Sequence, residues 1–148
     1  MYFIKVKFDR KFEDLHSRMR KLMDGMRTMG GPVLNTSDTG WTPEADMYET
    51  EKEVVLVMNL AGVRKEDLEI SFQDNCLCLG GERVQDIPAG TVARYHQLEM
   101  GQGRFERIIS IPARINEEEI EAAYADGLLT VRMKKGKKPG QVRVEVKS

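Results

Sequence analysis

Cysteine, histidine and long apolar runs are all scarce in this chain of 148 residues, and each shortage excludes something. The only cysteines are Cys76 and Cys78. Two residues apart on an extended segment, they share a face but cannot close an ordinary unstrained disulfide, so a reduced, cytoplasmic setting is expected. As metal ligands they fall short, because a structural zinc site needs four donors and no second pair exists. Small apolar side chains on one face of a buried strand are the better reading. The longest apolar run, Val54 to Met58, is far too short to span a bilayer, and Met1 to Phe8 carries Lys5 and Lys7 with no apolar stretch behind it. Neither a membrane span nor a secretory signal is expected. The only histidines, His16 and His96, stand in no spacing that builds a Ser-His-Asp site. Gly101-Gln102-Gly103 lacks the Lys and Ser or Thr of a phosphate loop. No catalytic residue, cofactor or metal site is therefore expected. An excess of one charge is missing too: 23 Lys and Arg stand against 24 Asp and Glu, a net of -1. Without a uniform positive field, nucleic acid is not expected as a partner.

What is present is one small domain's worth of chain plus arms. Residues 1–40 hold eight Lys and Arg against five acids, a net of +3 that leaves -4 for the rest. Within this arm Phe8, Phe12, Leu15, Met19, Leu22 and Met26 recur at alternating spacings of 4 and 3, one apolar stripe on a predicted helix. The stripe has no domain of its own to cover it. It packs either on the following domain or on a second copy, or it serves as a binding surface. Four of the nine methionines (Met19, Met23, Met26, Met29) fall in eleven residues, and unbranched, polarisable methionine suits a surface that accepts many shapes. Gly30, Gly31 and Pro32 end the helix pattern, and Asn35 to Gly40 reads as a polar linker.

From Trp41 to Lys135 the periodicity becomes strand-like. Glu53 to Leu60 reads as a buried strand, and Leu68, Ile70 and Phe72 alternate with Glu69, Ser71 and Gln73 at period two. Asp74-Asn75 offers a tight turn into Cys76 to Leu79, Gly80-Gly81 reads as a further turn, and Arg104 to Ile111 is a strand stopped by Pro112. Asp126-Gly127, before alternating Leu129, Val131 and Met133, is the strongest hairpin signal. Ahead of it, Glu117 to Tyr124 holds good helix formers behind Asn116 as an N-cap, so one helical turn followed by a strand is expected. About seven short strands with turns between them predict an all-β, antiparallel, immunoglobulin-like β-sandwich, although the Cys and Trp pattern of antibody domains is missing.

The chain ends on a detached strand, Gln141 to Ser148, in which Val142, Val144 and Val146 alternate with charged residues and cannot be buried alone. Such a strand should dock on something. Burying two valines contributes on the order of 3 to 5 kcal/mol gross, while ordering the tail costs about 1 kcal/mol or more per residue. One tail is thus a weak clip, and many tails hold an assembly through effective concentration. The basic stretch Lys134, Lys135, Lys137 and Lys138 reads as part of a mobile, solubilising tail.

In order along the chain, Trp41-Thr42-Pro43-Glu44-Ala45-Asp46, Leu60-Ala61-Gly62-Val63 with Lys65-Glu66-Asp67-Leu68, Gly81-Glu82-Arg83, Gly103-Arg104-Phe105-Glu106-Arg107 leading to Ile111-Pro112, and Ala122-Ala123-Tyr124-Ala125-Asp126-Gly127-Leu128-Leu129 resemble the small heat-shock proteins, the α-crystallin family, in its bacterial and archaeal form. The resemblance implies an arm over residues 1–40, a sandwich over 41–135 and a C-terminal extension over 136–148. It implies that Ala93 to Leu98, with Arg94, Tyr95 and His96, swaps onto Ala45, Asp46, Met47, Tyr48 and Glu49 of a partner subunit. Arg107 is expected to pair with an acid at that dimer interface, against the alternative of a solvated surface arginine. Val142 and Val144, or Val144 and Val146 in a second register, stand where the family has its anchor. The anchor docks in a groove that here would be lined by Leu68, Ile70 and Phe72 on one side and Ile120 and Ala122 on the other. The family usually carries a proline where Ala61 stands and another near Met133.

The resulting reading is an ATP-independent holdase. Its dimers assemble into a larger homo-oligomer and bind partly unfolded clients through Phe8, Phe12, Leu15, Met19, Leu22, Met23 and Met26, selecting them by exposed apolar surface. An adaptor resembling the CS-domain type would lack both the apolar arm and the tail anchor, and this sequence has both. An enzyme would need a convergent polar pocket, for which the sequence offers no residues.

Overall fold

The computed structural model describes residues 40–137 and the backbone of two short strands before them, at residues 2–4 and 34–35. The arm helix, the apolar stripe and the tail anchor lie outside the described residues. In chain order the described strands are β1 (Tyr2–Ile4), β2 (Leu34–Asn35), β3 (Ala45–Glu49), β4 (Glu53–Asn59), β5 (Glu69–Gln73), β6 (Cys76–Arg83), β7 (Gly103–Ser110), β8 (Ile115–Ala125) and β9 (Leu128–Lys135), with a 3-10 turn at Lys65–Asp67. They form two sheets, ordered β1-β8-β9-β4-β3 and β2-β7-β6-β5, with every pairing antiparallel. This is the sandwich that the period-two pattern predicts.

The inner faces close one core, in which Val54, Leu56 and Met58 of β4 and Leu129, Val131 and Met133 of β9 meet Ile70 and Phe72 of β5, Leu77 and Leu79 of β6 and Phe105 of β7. β4 lies between β9 and β3 and is buried on both faces around Val54 to Leu56, which is why it reads as a continuous apolar run rather than an alternation. Met133 is fully buried opposite Val54. A second buried cluster, Cys76, Cys78 and Ile108, occupies the other face of the four-stranded sheet. There Cys78 pairs across the strands with Ser71 and Ile108. Neither cysteine is in a disulfide, and both serve as small buried side chains.

Both predicted two-residue turns form. Asp74 and Asn75 have φ of 50° and 59°, and Asp126 and Gly127 have 53° and 76°, the double positive φ of a primed hairpin turn.

Three expectations are overturned. Gly80 and Gly81 form no turn and lie inside β6. A Cβ on Gly81 would stand 2.8 Å from the Phe105 ring and 2.9 Å from the Asp67 carbonyl oxygen, so glycine is there for close approach. The helical turn at Glu117 is absent, because β8 is extended from Ile115, with a register irregularity against β9 between Ile115 and Ile120. The Asn116 side chain does make cap-like bonds, accepting from the Glu118 N–H at 3.2 Å and donating to Glu119 at 2.9 Å, but they fasten this irregular stretch instead of a helix. Lys134 and Lys135 belong to β9 rather than to a tail, and they pair with Glu119 and Glu49 respectively.

Candidate interaction surfaces

β3 is an edge strand of its sheet, paired with β4 and with no second strand among the described residues. Pro43 is buried just before it, whereas Asp46 to Glu49 are exposed, with Met47 and Tyr48 leaving apolar surface in solvent. Between β6 and β7 runs a segment without strand structure, 84–102, in which Val84, Val92, Tyr95, Leu98 and Met100 are exposed, Val92 completely. Arg94 and His96 are exposed beside Tyr95, and the Tyr95 hydroxyl donates to Gln85.

The base of this segment is fastened by contacts between residues far apart in the chain. The Trp41 indole N–H donates to the Gly103 carbonyl at 2.9 Å, and its ring meets Phe105 edge-on at 5.5 Å. The Arg83 guanidinium stacks on Trp41 at 3.7 Å and donates from Nη1 to the Gly101 carbonyl at 3.0 Å. Desolvation lowers the Arg83 pKa from its ordinary value while Tyr124 opposes the shift, and the cation finds its compensation in the indole face. The signal was legible only as Trp41 and a pair of glycines 60 residues away; nothing in one dimension links them.

Arg107 is buried, 8% exposed, so the solvated surface reading fails. It stands on β7 opposite Leu79 and donates from Nη1 to the Pro43 carbonyl at 2.8 Å, tying β7 to the chain entering β3. Its Nε has no partner among the described residues, and burial pulls its pKa down. No carboxylate pairs with it within the described residues.

Ile70, Phe72 and Ala122 are buried in the core, and Leu68 and Ile120 lie half-buried against it. Ala122 and Tyr124 of β8 face inward. The Tyr124 hydroxyl lies 2.7 Å from the carbonyls of both Leu60 and Val63, sharing its proton between them and holding the loop at Ala61. β1 runs along the β8 edge, with Tyr2, Phe3 and Ile4 opposite Tyr124, Ala123 and Ala122.

Among the described residues no group of three or more His, Cys, Asp or Glu gathers to hold a metal, and no helix is long and apolar enough to cross a membrane.

Residues 46–147 match the model of the Hsp20/alpha crystallin family. Heat shock protein 16 of Schizosaccharomyces pombe is 35% identical over 72% of this chain and 76% of its own length, and small heat shock protein C2 of Rickettsia felis is 28% identical over 78% and 75%. The solved structure of heat shock protein 16.0 from Schizosaccharomyces pombe superposes with a TM-score of 0.64 at 26% identity, covering 87% of this chain and 92% of that one. With the family model matched over more than half of its length, the chain belongs to the Hsp20/alpha crystallin family.

Proposed function

We propose that the protein is an ATP-independent holdase of the cytoplasm, a chaperone that binds partly unfolded proteins and keeps them from aggregating without turning over a substrate or using a cofactor. The observation that carries this reading is apolar surface left outside a sandwich whose core is already full. Val92 is 100% exposed, Met100 67% and Leu98 65%, and Met47 and Tyr48 line an open strand edge. Such a surface calls for a partner.

In the dimer, the segment around Ala93 to Leu98, with Arg94, Tyr95 and His96, adds to the partner's β3 edge at Ala45 to Glu49, and Arg107 finds an acid there. Dimers join into a larger assembly through Val142 and Val144, or Val144 and Val146, in the groove between Leu68, Ile70 and Phe72 and the β8 residues Ile120 and Ala122. Clients are held by the arm, Phe8, Phe12, Leu15, Met19, Leu22, Met23 and Met26. Heating opens contacts that are individually marginal and uncovers this stripe. Nucleic acid and membranes have no part in the proposal.

The test is to heat an aggregation-prone protein with increasing amounts of this one, without nucleotide, and follow light scattering. Suppression that saturates near stoichiometric ratios is expected; no suppression at any ratio rejects the holdase.

A further inference from the structure

We propose that Arg83 and Trp41 form a lock that sets the direction in which the segment 84–102 leaves the sandwich, and so position both halves of the subunit contact at once. The proposal rests on the reading that Ala93 to Leu98 adds to the β3 edge of a partner; the lock itself is a contact within one chain.

The segment leaves from Arg83, the last residue of β6, and returns at Gly103, the first of β7. A long connection without strand structure can point in many directions, and ordering it against a partner costs entropy for each residue fixed. Its neck, however, is closed. Arg83 Nη1 donates to the Gly101 carbonyl at 3.0 Å, which ties the departing chain to the returning one. The same guanidinium lies 3.7 Å from the centre of the Trp41 ring, and the Trp41 indole N–H holds the Gly103 carbonyl at 2.9 Å. Gly101 packs so closely on Trp41 that a Cβ there would stand 2.7 Å from the tryptophan Cβ. Both ends of the segment and Trp41 thus form one packed unit.

The acceptor edge hangs from the same unit. Trp41 stands just ahead of β3, and the residues between them are pinned: the Pro43 carbonyl accepts from Arg107 Nη1 at 2.8 Å, and the Glu44 carbonyl accepts from the Asn59 N–H at 2.9 Å. With so little slack between Trp41 and Ala45, whatever fixes Trp41 also fixes the start of β3. In a two-fold dimer each chain gives its segment and receives the other's, so both contacts close only if segment and edge hold the same angle in the two chains. Arg83 on Trp41 joins the two. Arginine is an unfavourable choice at the neck on stability grounds alone, because its Nε is buried without a partner among the described residues. An apolar side chain of similar length would fill the space and leave no polar atom unpaired. Positioning the segment accounts for a cation there.

Hydrogen exchange on the full-length chain, read by mass spectrometry, tests this with Arg83→Met and Arg83→Lys. Methionine keeps much of the stem's bulk and removes both the contact with the indole face and the bond to Gly101. Residues 93–98 and 45–49 should then lose protection together by about tenfold, the scale of one cation–π contact and one hydrogen bond. Residues 54–58 of β4 and 129–133 of β9 should keep theirs. Lysine leaves a cation over the ring and should retain part of the protection. A loss that spreads equally to β4 and β9 makes Arg83 a purely structural residue and overturns the lock, as does full protection of both regions in Arg83→Met. Loss from 93–98 alone, with 45–49 unchanged, overturns the coupling and leaves the dimer standing. If 93–98 is unprotected in the parent chain at every concentration, the dimer contact and the lock fall together.

Discussion

Cys78 shows how little of a residue's behaviour its type decides. Burial pushes its thiol up to about 11, with the hydrogen bond to Ser71 working against the shift. Cys76 is raised by the same cause. At neutral pH both are protonated and poor nucleophiles, so iodoacetamide should label the native protein slowly and the urea-unfolded protein fully, as read by mass. The folded Cys78 holds its proton more tightly than the unfolded chain, whose thiol titrates near 9.0. The stability linked to it is therefore complete below that pH and lost as the pH rises through about 11, which an unfolding midpoint measured from pH 8 to 11 should register. Trp41 carries the opposite lesson, a half-buried residue with several roles. Trp41→Ala removes the ring contact with Phe105, the bond to Gly103 and the face under Arg83, and should cost about 2 to 4 kcal/mol in urea unfolding. Gly101→Ala should destabilise in the same direction, because its Cβ would lie 2.7 Å from that of Trp41.

Among the elements, the two primed turns are stabilised differently, and substitutions should separate them. Gly127 needs its positive φ of 76°, and a Cβ there would stand 2.9 Å from the Ala61 Cα. Gly127→Ala should therefore destabilise the fold through both strain and collision, by about 1 to 3 kcal/mol, read as a lower thermal midpoint. Asn75 donates from its amide to the carbonyls of Ile111 and Ala113, both at 2.9 Å. Asn75→Gly keeps the backbone conformation and loses only these bonds, so a cost of about 1 to 3 kcal/mol there measures the link from the turn to the end of β7. β8 makes a related point: good helix formers from Glu117 onward yield to the strand, since only an extended chain places Ile120, Ala122 and Tyr124 opposite Met133, Val131 and Leu129.

For the molecule as a whole, the decisive quantity is apolar surface that one sandwich does not hide. Changing Val142 and Val144 together to Gly should reduce the assembly to dimers in native mass spectrometry while leaving the melting of the sandwich itself within about 0.5 kcal/mol, since surface changes outside the core rarely cost more. An unchanged oligomer would remove the tail from the assembly. The open β3 edge and the exposed segment beside it predict that dimerisation persists in this variant.

The sandwich itself was written in one dimension, because strand alternation and the Asp74-Asn75 and Asp126-Gly127 turns are local properties of the backbone and of which side chains leave water. The apolar periodicity of the arm and the alternating valines of the tail are likewise read from the sequence, and both lie outside the described residues. The sequence could not decide that Gly80-Gly81 continues a strand, since that depends on Phe105, which lies 24 residues beyond Gly81 and packs against it. Nor could it join Arg83, Trp41 and Gly101, bury Arg107 against Pro43, or lay Tyr2–Ile4 on β8. Each of these depends on which distant surfaces meet, and only the packed sheets bring those surfaces together.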